Sequence, residues 1–125
     1  MISPDAFLLF SVFQIKHYLG DFVFQSKYML KKGASDWSFL KPLALHSLVH
    51  GCLTSAIACA FAPKLWWLGI LDVAVHAAID RLKGSPRFFG RFDNPASNAY
   101  WRVFGLDQMA HHFTHIGIVW VICFL

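Results

Sequence analysis

The sequence predicts an all-α integral membrane protein, a four-helix bundle with both termini on the extracytoplasmic side. Composition is the first ground for this. Of 125 residues, 57% are hydrophobic and 14% charged, against about 45–50% and about 25% in ordinary soluble domains. Aromatic load is the second. The chain carries 13 Phe and 5 Trp, more than a small soluble core hides, because small domains bury the smallest fraction of their surface. The third is the presence of four apolar stretches, each near the roughly 17–25 residues that a spanning helix needs. A mean hydropathy of +0.49 agrees. All seven acids are Asp and none is Glu, which is unusual for a soluble helical surface. Disorder is excluded, and the length allows one domain, residues 1–125.

The first span is expected at about 5–30, from Asp5 to Leu30. Ser3-Pro4 opens it as an N-cap followed by proline at the first helical position. Lys31-Lys32-Gly33 closes it, with Gly33 placed for a helix C-cap. Lys16 and His17 interrupt its apolar run, and it has no basic start and no small-residue cleavage site, so it reads as a mature helix and not a secretory signal. The second span runs over 42–62, from Pro42 to Ala62, and Pro63 breaks it. A short connection through Lys64 leads to the third, 65–82, so these two form a helical hairpin. Residues 85–100 (Ser85 to Tyr100) form the longest polar stretch. Phe88, Phe89, Phe92 and Tyr100 alternate there with Arg87 and Arg91, a mixture suited to the headgroup layer. We read it as a cytoplasmic interfacial loop, with Asp36 to Leu40 as a smaller counterpart around Trp37. The fourth span is 102–125.

Basic residues set the orientation. Lys27, Lys31, Lys32 and Lys41 flank the first loop, and Arg81, Lys83, Arg87, Arg91 and Arg102 flank the third. The second loop has Lys64 alone. By the positive-inside rule the first and third loops are cytoplasmic. The isoelectric point of about 9.2 therefore reports topology and contact with membrane lipid, and no motif argues for nucleic acid.

Each span carries ligand-type residues four apart, which places them on one helix face. These are His17, Asp21 and Gln25 in the first, His46 and His50 in the second, Asp72, His76 and Asp80 in the third, and Asp107, His111 and His115 in the fourth. Given the alternating directions of the helices, all of them fall at a similar depth in the cytoplasmic leaflet. One such residue is ordinarily an interhelical hydrogen bond. So many at one depth are expensive, each ionisable group costing roughly 2.5–3.5 kcal/mol in hydrocarbon on insertion scales. Convergence in one layer of a four-helix bundle is how helical proteins build metal centres. The expected ligands are His17, Asp21, His46, His50, His76, Asp80, Asp107 and His111. The donor set suits zinc, and also iron or manganese, with one or two ions. Asp72 and His115 lie one turn deeper and are candidates for outer partners that orient ligating imidazoles. Gln25 and Gln108 adjoin the same layer, and His112 points away from His111. A metal-free polar network and a proton relay are the alternatives. Cys52, Cys59 and Cys123 form no Cys-x2-Cys motif and read as small packing residues.

The blocks His17/Asp21/Gln25, His46/His50, His76/Asp80/Lys83 and Asp107/Gln108/His111 resemble, in order and over essentially the whole chain, an uncharacterised bacterial and phage membrane family catalogued as domain of unknown function 3307. The resemblance implies a bacterial inner membrane location, and the family's name specifies no activity. A looser similarity connects the pattern to membrane-bound metal-dependent hydrolases, as analogy only. His112 and His115 extend the fourth block beyond the family's pattern.

The leading functional expectation is a metal-dependent hydrolase acting on a lipid, a lipid-linked molecule or a membrane peptide. Asp21 or Asp107 would serve as general base, with Arg81 and Lys83 placed to hold an anionic group. Alternatives are a non-catalytic metal-binding or ion-transport protein, and a small structural or inhibitory protein with a polar packing layer. The apolar outer halves of the helices argue against a conduit within one chain. A desaturase-like di-iron site ranks last, because the histidine boxes do not repeat. Small residues on the second span (Gly51, Ala56, Ala60) offer a close-contact surface, and the thinness of a four-helix bundle points to a homo-oligomer.

Overall fold

A computed structural model describes residues 4–125. It is helical throughout, with no strand among the described residues. Helix α1 spans Pro4–Tyr18 and continues as a π-turn over Leu19–Val23. Helices α2 (Leu40–Phe61), α3 (Leu68–Gly84) and α4 (Asn98–Phe124) follow. The helices form a ring, α1 and α3 each packing against both α2 and α4. Consecutive helices run in opposite directions. The C-terminal ends of α1 and α3 meet the N-terminal ends of α2 and α4 around one polar layer, where Asp21 pairs with His50 and Asp80 with His111.

The α2–α3 hairpin is the closest pair because glycines line its crossing. A Cβ at Gly69 would collide with the Gly51 carbonyl and the Ser55 hydroxyl. A 3-10 turn at Pro63–Leu65 makes the connection, and Ser55 Oγ donates to the Trp66 carbonyl at 2.9 Å.

The interior is ordered in layers along the bundle. One end is an apolar plug of Leu9, Phe13, Leu68, Ile118 and Val119. Next come Lys16, Thr54, Asp72 and His115, one from each helix, all buried. One turn further lie the imidazoles and carboxylates of the site. Among the described residues, thirteen buried polar or charged residues outnumber nine buried hydrophobic ones. Meanwhile Phe7, Ile15, Ile70, Phe113, Ile116 and Trp120 point outward. Charged residues are almost never fully buried unless paired, and Lys16 is paired with Asp72. One helical stretch among the described residues, Trp37–Phe61 with mean hydropathy 1.5, is long and apolar enough to cross a membrane.

The elements depart from the sequence expectation at their ends. The first helix stops at Val23 instead of Leu30. Beyond Phe24 the chain turns back, and a 3-10 turn at Met29–Gly33 packs against α2 and α3, with Met29 buried. Gly33 is therefore no left-handed C-cap, since no glycine among the described residues has positive φ. It lies instead where the chain closely approaches the end of α3, and the tighter constraint falls on Gly84, whose Cβ would lie 2.9 Å from Gly33 Cα. The expected cap at Ser3 lies outside the described residues. In the first loop, Asp36 caps a 3-10 turn at Trp37–Phe39 that runs straight into α2. The Ser38 hydroxyl and amide donate to Asp36, which holds its carboxyl below the usual carboxylate range. Helix α4 starts at Asn98 and not at Arg102, because Ser97 Oγ accepts from the Tyr100 amide at 3.2 Å and caps it.

Candidate metal centre

Six of the expected ligands gather into two groups that could hold a metal ion. Asp21, His46, His50 and His76 form one, and His76, Asp80 and His111 the other. In the first, Asp21 Oδ1 lies 3.0 Å from His50 Nε2, 3.2 Å from His46 Nε2 and 3.9 Å from His76 Nε2. The Nε2 atoms of His46 and His76 are 3.2 Å apart. In the second, Asp80 Oδ2 lies 3.5 Å from His76 Nε2 and Asp80 Oδ1 lies 3.3 Å from His111 Nε2. Asp80 Oδ2 also reaches His46 Nε2 at 3.3 Å, so this carboxylate touches both groups.

These separations bear directly on whether an ion fits. A tetrahedral ion with bonds of about 2.0–2.1 Å holds its ligand atoms about 3.3–3.4 Å apart. The observed spacings scatter around that edge length, and the donors are the imidazoles and carboxylates that zinc, iron and manganese accept. The four clustered histidines, His46, His50, His76 and His111, converge through Nε2. The Nδ1 atoms of His46, His50 and His76 are buried with no hydrogen-bond partner among the described residues. The rings are held by one another instead, with His50 and His76 stacked at 3.8 Å and His76 and His111 at 4.2 Å between centroids.

Local backbone makes the cluster fit. Asp21 sits in the π-turn, a rare feature concentrated at functional sites. Its neighbour Gly20 is buried against the His50 ring, and a Cβ there would collide with that imidazole. His50 cannot retreat, being held between Asp21 and the His76 ring. Gly20→Ala is therefore expected to lower zinc affinity by about tenfold, the lower end of losses seen when a ligand's support is disturbed. Competition against a fluorescent chelator, with helicity checked by circular dichroism, measures this. Undiminished affinity would mean that His50 does not bind the ion.

The remaining expected site residues surround the two groups. His17 Nε2 lies 2.9 Å from Gln108 Oε1 and 3.3 Å from Asp21 Oδ2, so it fixes the outer oxygen of that carboxylate from outside both groups. Asp107 also stands outside them. Its Oδ2 accepts from Lys83 at 2.8 Å and from Gln108 at 3.0 Å. Its buried Oδ1 accepts no hydrogen bond and lies 3.5 Å from His111 Nε2. Gln25 donates to the Asp21 carbonyl at 2.9 Å, which steadies the turn.

Asp72 and His115 are not partners of the clustered imidazoles. Asp72 Oδ2 accepts from Lys16 Nζ at 2.7 Å and Thr54 Oγ1 at 2.6 Å, and His115 Nε2 is 3.3 Å from the same ammonium. Arg81 is committed elsewhere as well, donating to the Ala34 carbonyl at 2.9 Å and stacking 3.5 Å over Phe39. The half-buried His112 packs against His17 at 5.0 Å between ring centroids.

Sequence reasoning missed two residues that touch the site or its neighbouring layer. Lys32 Nζ lies 2.5 Å from Asp80 Oδ2. It comes from the turn that folds back after α1, and no local pattern marks it. Lys16 had a readable signal, since a lysine inside an apolar helix calls for an opposite charge at the same depth, and Asp72 supplies it.

No curated protein and no solved structure matches the chain. The family described as "Protein of unknown function (DUF3307)" matches residues 9–125, nearly its whole length. With the His/Asp blocks in their expected order and drawn together in space, the protein belongs to that family.

Proposed function

We propose that the protein is an integral membrane hydrolase that uses one or two divalent ions, zinc first, to act on a lipid, lipid-linked or membrane substrate at the cytoplasmic side of a bacterial inner membrane. The observation that carries this is the convergence of six imidazoles and carboxylates from four helices on ligand-like spacings. Membrane residence is supported by the inverted burial, with charged side chains inside and large apolar ones outside. The helix Pro4–Val23, at about 1.5 Å per residue, is about 30 Å long, the thickness of a hydrocarbon core. The two basic loops meet at one end of the bundle, where Gly33 and Gly84 touch, as the positive-inside rule requires of a cytoplasmic face.

His76 belongs to both groups, yet one Nε2 binds one ion. Assigned to Asp80 and His111, it leaves Asp21, His46 and His50 behind. Each triad then offers two imidazoles and one carboxylate, the three-ligand set with an open fourth position typical of hydrolytic zinc. A divalent ion there would supply a Lewis acid and an acidified water. Asp107, whose buried Oδ1 accepts no hydrogen bond and lies 3.5 Å from His111 Nε2, is the carboxylate that would take up a proton there. Asp21, enclosed by three imidazoles, acts as ligand. The apolar plug of Leu9, Phe13, Leu68, Ile118 and Val119 counts against ion passage, since the polar layers end there.

Elemental analysis of protein purified without chelator tests the proposal. Stoichiometric zinc, iron or manganese is expected, with His50→Ala and Asp80→Asn each losing part of the metal and, with it, hydrolytic activity. Activity retained in a metal-free variant would overturn it.

A further inference from the structure

Two cavities lie beside the triad of His76, Asp80 and His111, and they differ in character. The first, of about 240 Å³, has Asp80 at its edge, Lys32 and Lys83 beside it, and walls that include Phe89, Phe92 and Phe104. The second, of about 160 Å³, runs between α3 and α4 past Ile79, Leu82, Leu106 and Ala110 and is almost wholly apolar. Lys83, Phe89 and Val103 line both, so the two adjoin at these side chains.

Charge defines what the first cavity accepts. Lys32 pairs with Asp80 and Lys83 with Asp107, so these four side chains are neutral together, and Asp93 on the cavity wall adds one negative charge. A divalent ion on the Asp80 triad would turn that balance to a net of one positive charge, with the ion and both ammoniums at the cavity floor. A phosphate monoester, carrying about −1.5 to −2 at neutral pH, is the kind of anion that the ion and the two ammoniums would attract. Lysine ammoniums serve such groups as point charges, with charge-assisted hydrogen bonds. The second cavity has no polar group to receive more of the headgroup beyond Lys83 and Asp107 at its boundary. It opens beside Leu82 and Leu106, which are exposed on the bundle surface, so a hydrocarbon chain entering sideways between α3 and α4 fills it.

We propose that the two cavities are one binding site for a phosphate ester of a long-chain alcohol, with its phosphate between Lys32 and Lys83 and its chain between α3 and α4. The site needs an ion at Asp80, so it rests on the metal centre proposed above and names the substrate class for it.

The test is calorimetric titration of zinc-loaded protein in a neutral maltoside detergent with dodecyl phosphate and, separately, with inorganic phosphate. Dodecyl phosphate is expected to bind at least about tenfold more tightly than inorganic phosphate. Lys32→Ala and Lys83→Ala should each weaken it by about tenfold, in line with the loss of one charge-assisted contact. Lys31→Ala, exposed and outside both cavities, should leave it unchanged. Ala110→Phe, which fills the apolar cavity, should weaken dodecyl phosphate and spare inorganic phosphate. Equal binding of the two probes, or affinity indifferent to both lysines, would overturn the assignment. Zinc content measured on the same samples separates the failures. Zinc-replete protein that ignores dodecyl phosphate refutes this site alone, whereas protein that takes up no zinc refutes the metal centre beneath it.

Discussion

His76→Ala is expected to reduce zinc affinity by about 100-fold or more, the largest loss of any single ligand substitution. Removing an outer partner of a ligand already costs 10–100-fold, and His76 is itself a donor in both groups. Its ring also stacks on His50 and packs against His46 and His111, so truncation loosens three other imidazoles. Metal content at buffered free zinc, measured beside His50→Ala and His111→Ala, checks the ranking. Those two variants each keep the other triad's three ligands and disturb fewer neighbouring imidazoles than His76→Ala does, so they should retain more of the metal. Wild-type zinc in His76→Ala, with helicity intact, would mean that the Nε2 atoms converge for hydrogen bonding alone.

The same residue illustrates what a sequence exposes. Pairs four apart, such as His46/His50 and His76/Asp80, were legible because the helical period alone puts them on one face. Their shared depth followed from alternating helix directions and the basic loops. The azimuth of each helix about its neighbours was not legible, because it is set by close packing such as Gly51 against Gly69. That is why His17 and Asp107, in register with true cluster members, stand beside the groups instead of within them. It is also why Asp72 and His115, expected to steady imidazoles, meet Lys16. The break after Val23 had no local cause to read. The 3-10 turn that follows is held by tertiary contacts, with Met29 buried and Lys32 on Asp80. Arg81 was assigned an anion on position alone, and the cation that reaches the site's carboxylate is Lys32, far from Asp80 in the chain.

Lys16 and Asp72 carry the second large expected effect. Their side chains are 2% and 1% exposed and 2.7 Å apart, in a layer to which Thr54 and His115 add the remaining helices. Removing one member of a buried pair leaves a charge without compensation, at a cost of about 3–5 kcal/mol, whereas removing both is often nearly neutral. Lys16→Met and Asp72→Asn are each expected to destabilise the bundle by about that amount, and the double variant by much less than their sum. Denaturation in mixed micelles, analysed as a double-mutant cycle, reads the difference. Because this layer lies a turn away from the clustered donors, the double variant should still bind zinc at the wild-type level. Additive losses would show that the two residues contribute independently. Loss of zinc in a folded double variant would make the lysine layer part of the metal centre, ending its separation into a structural tier between the ligands and the apolar plug.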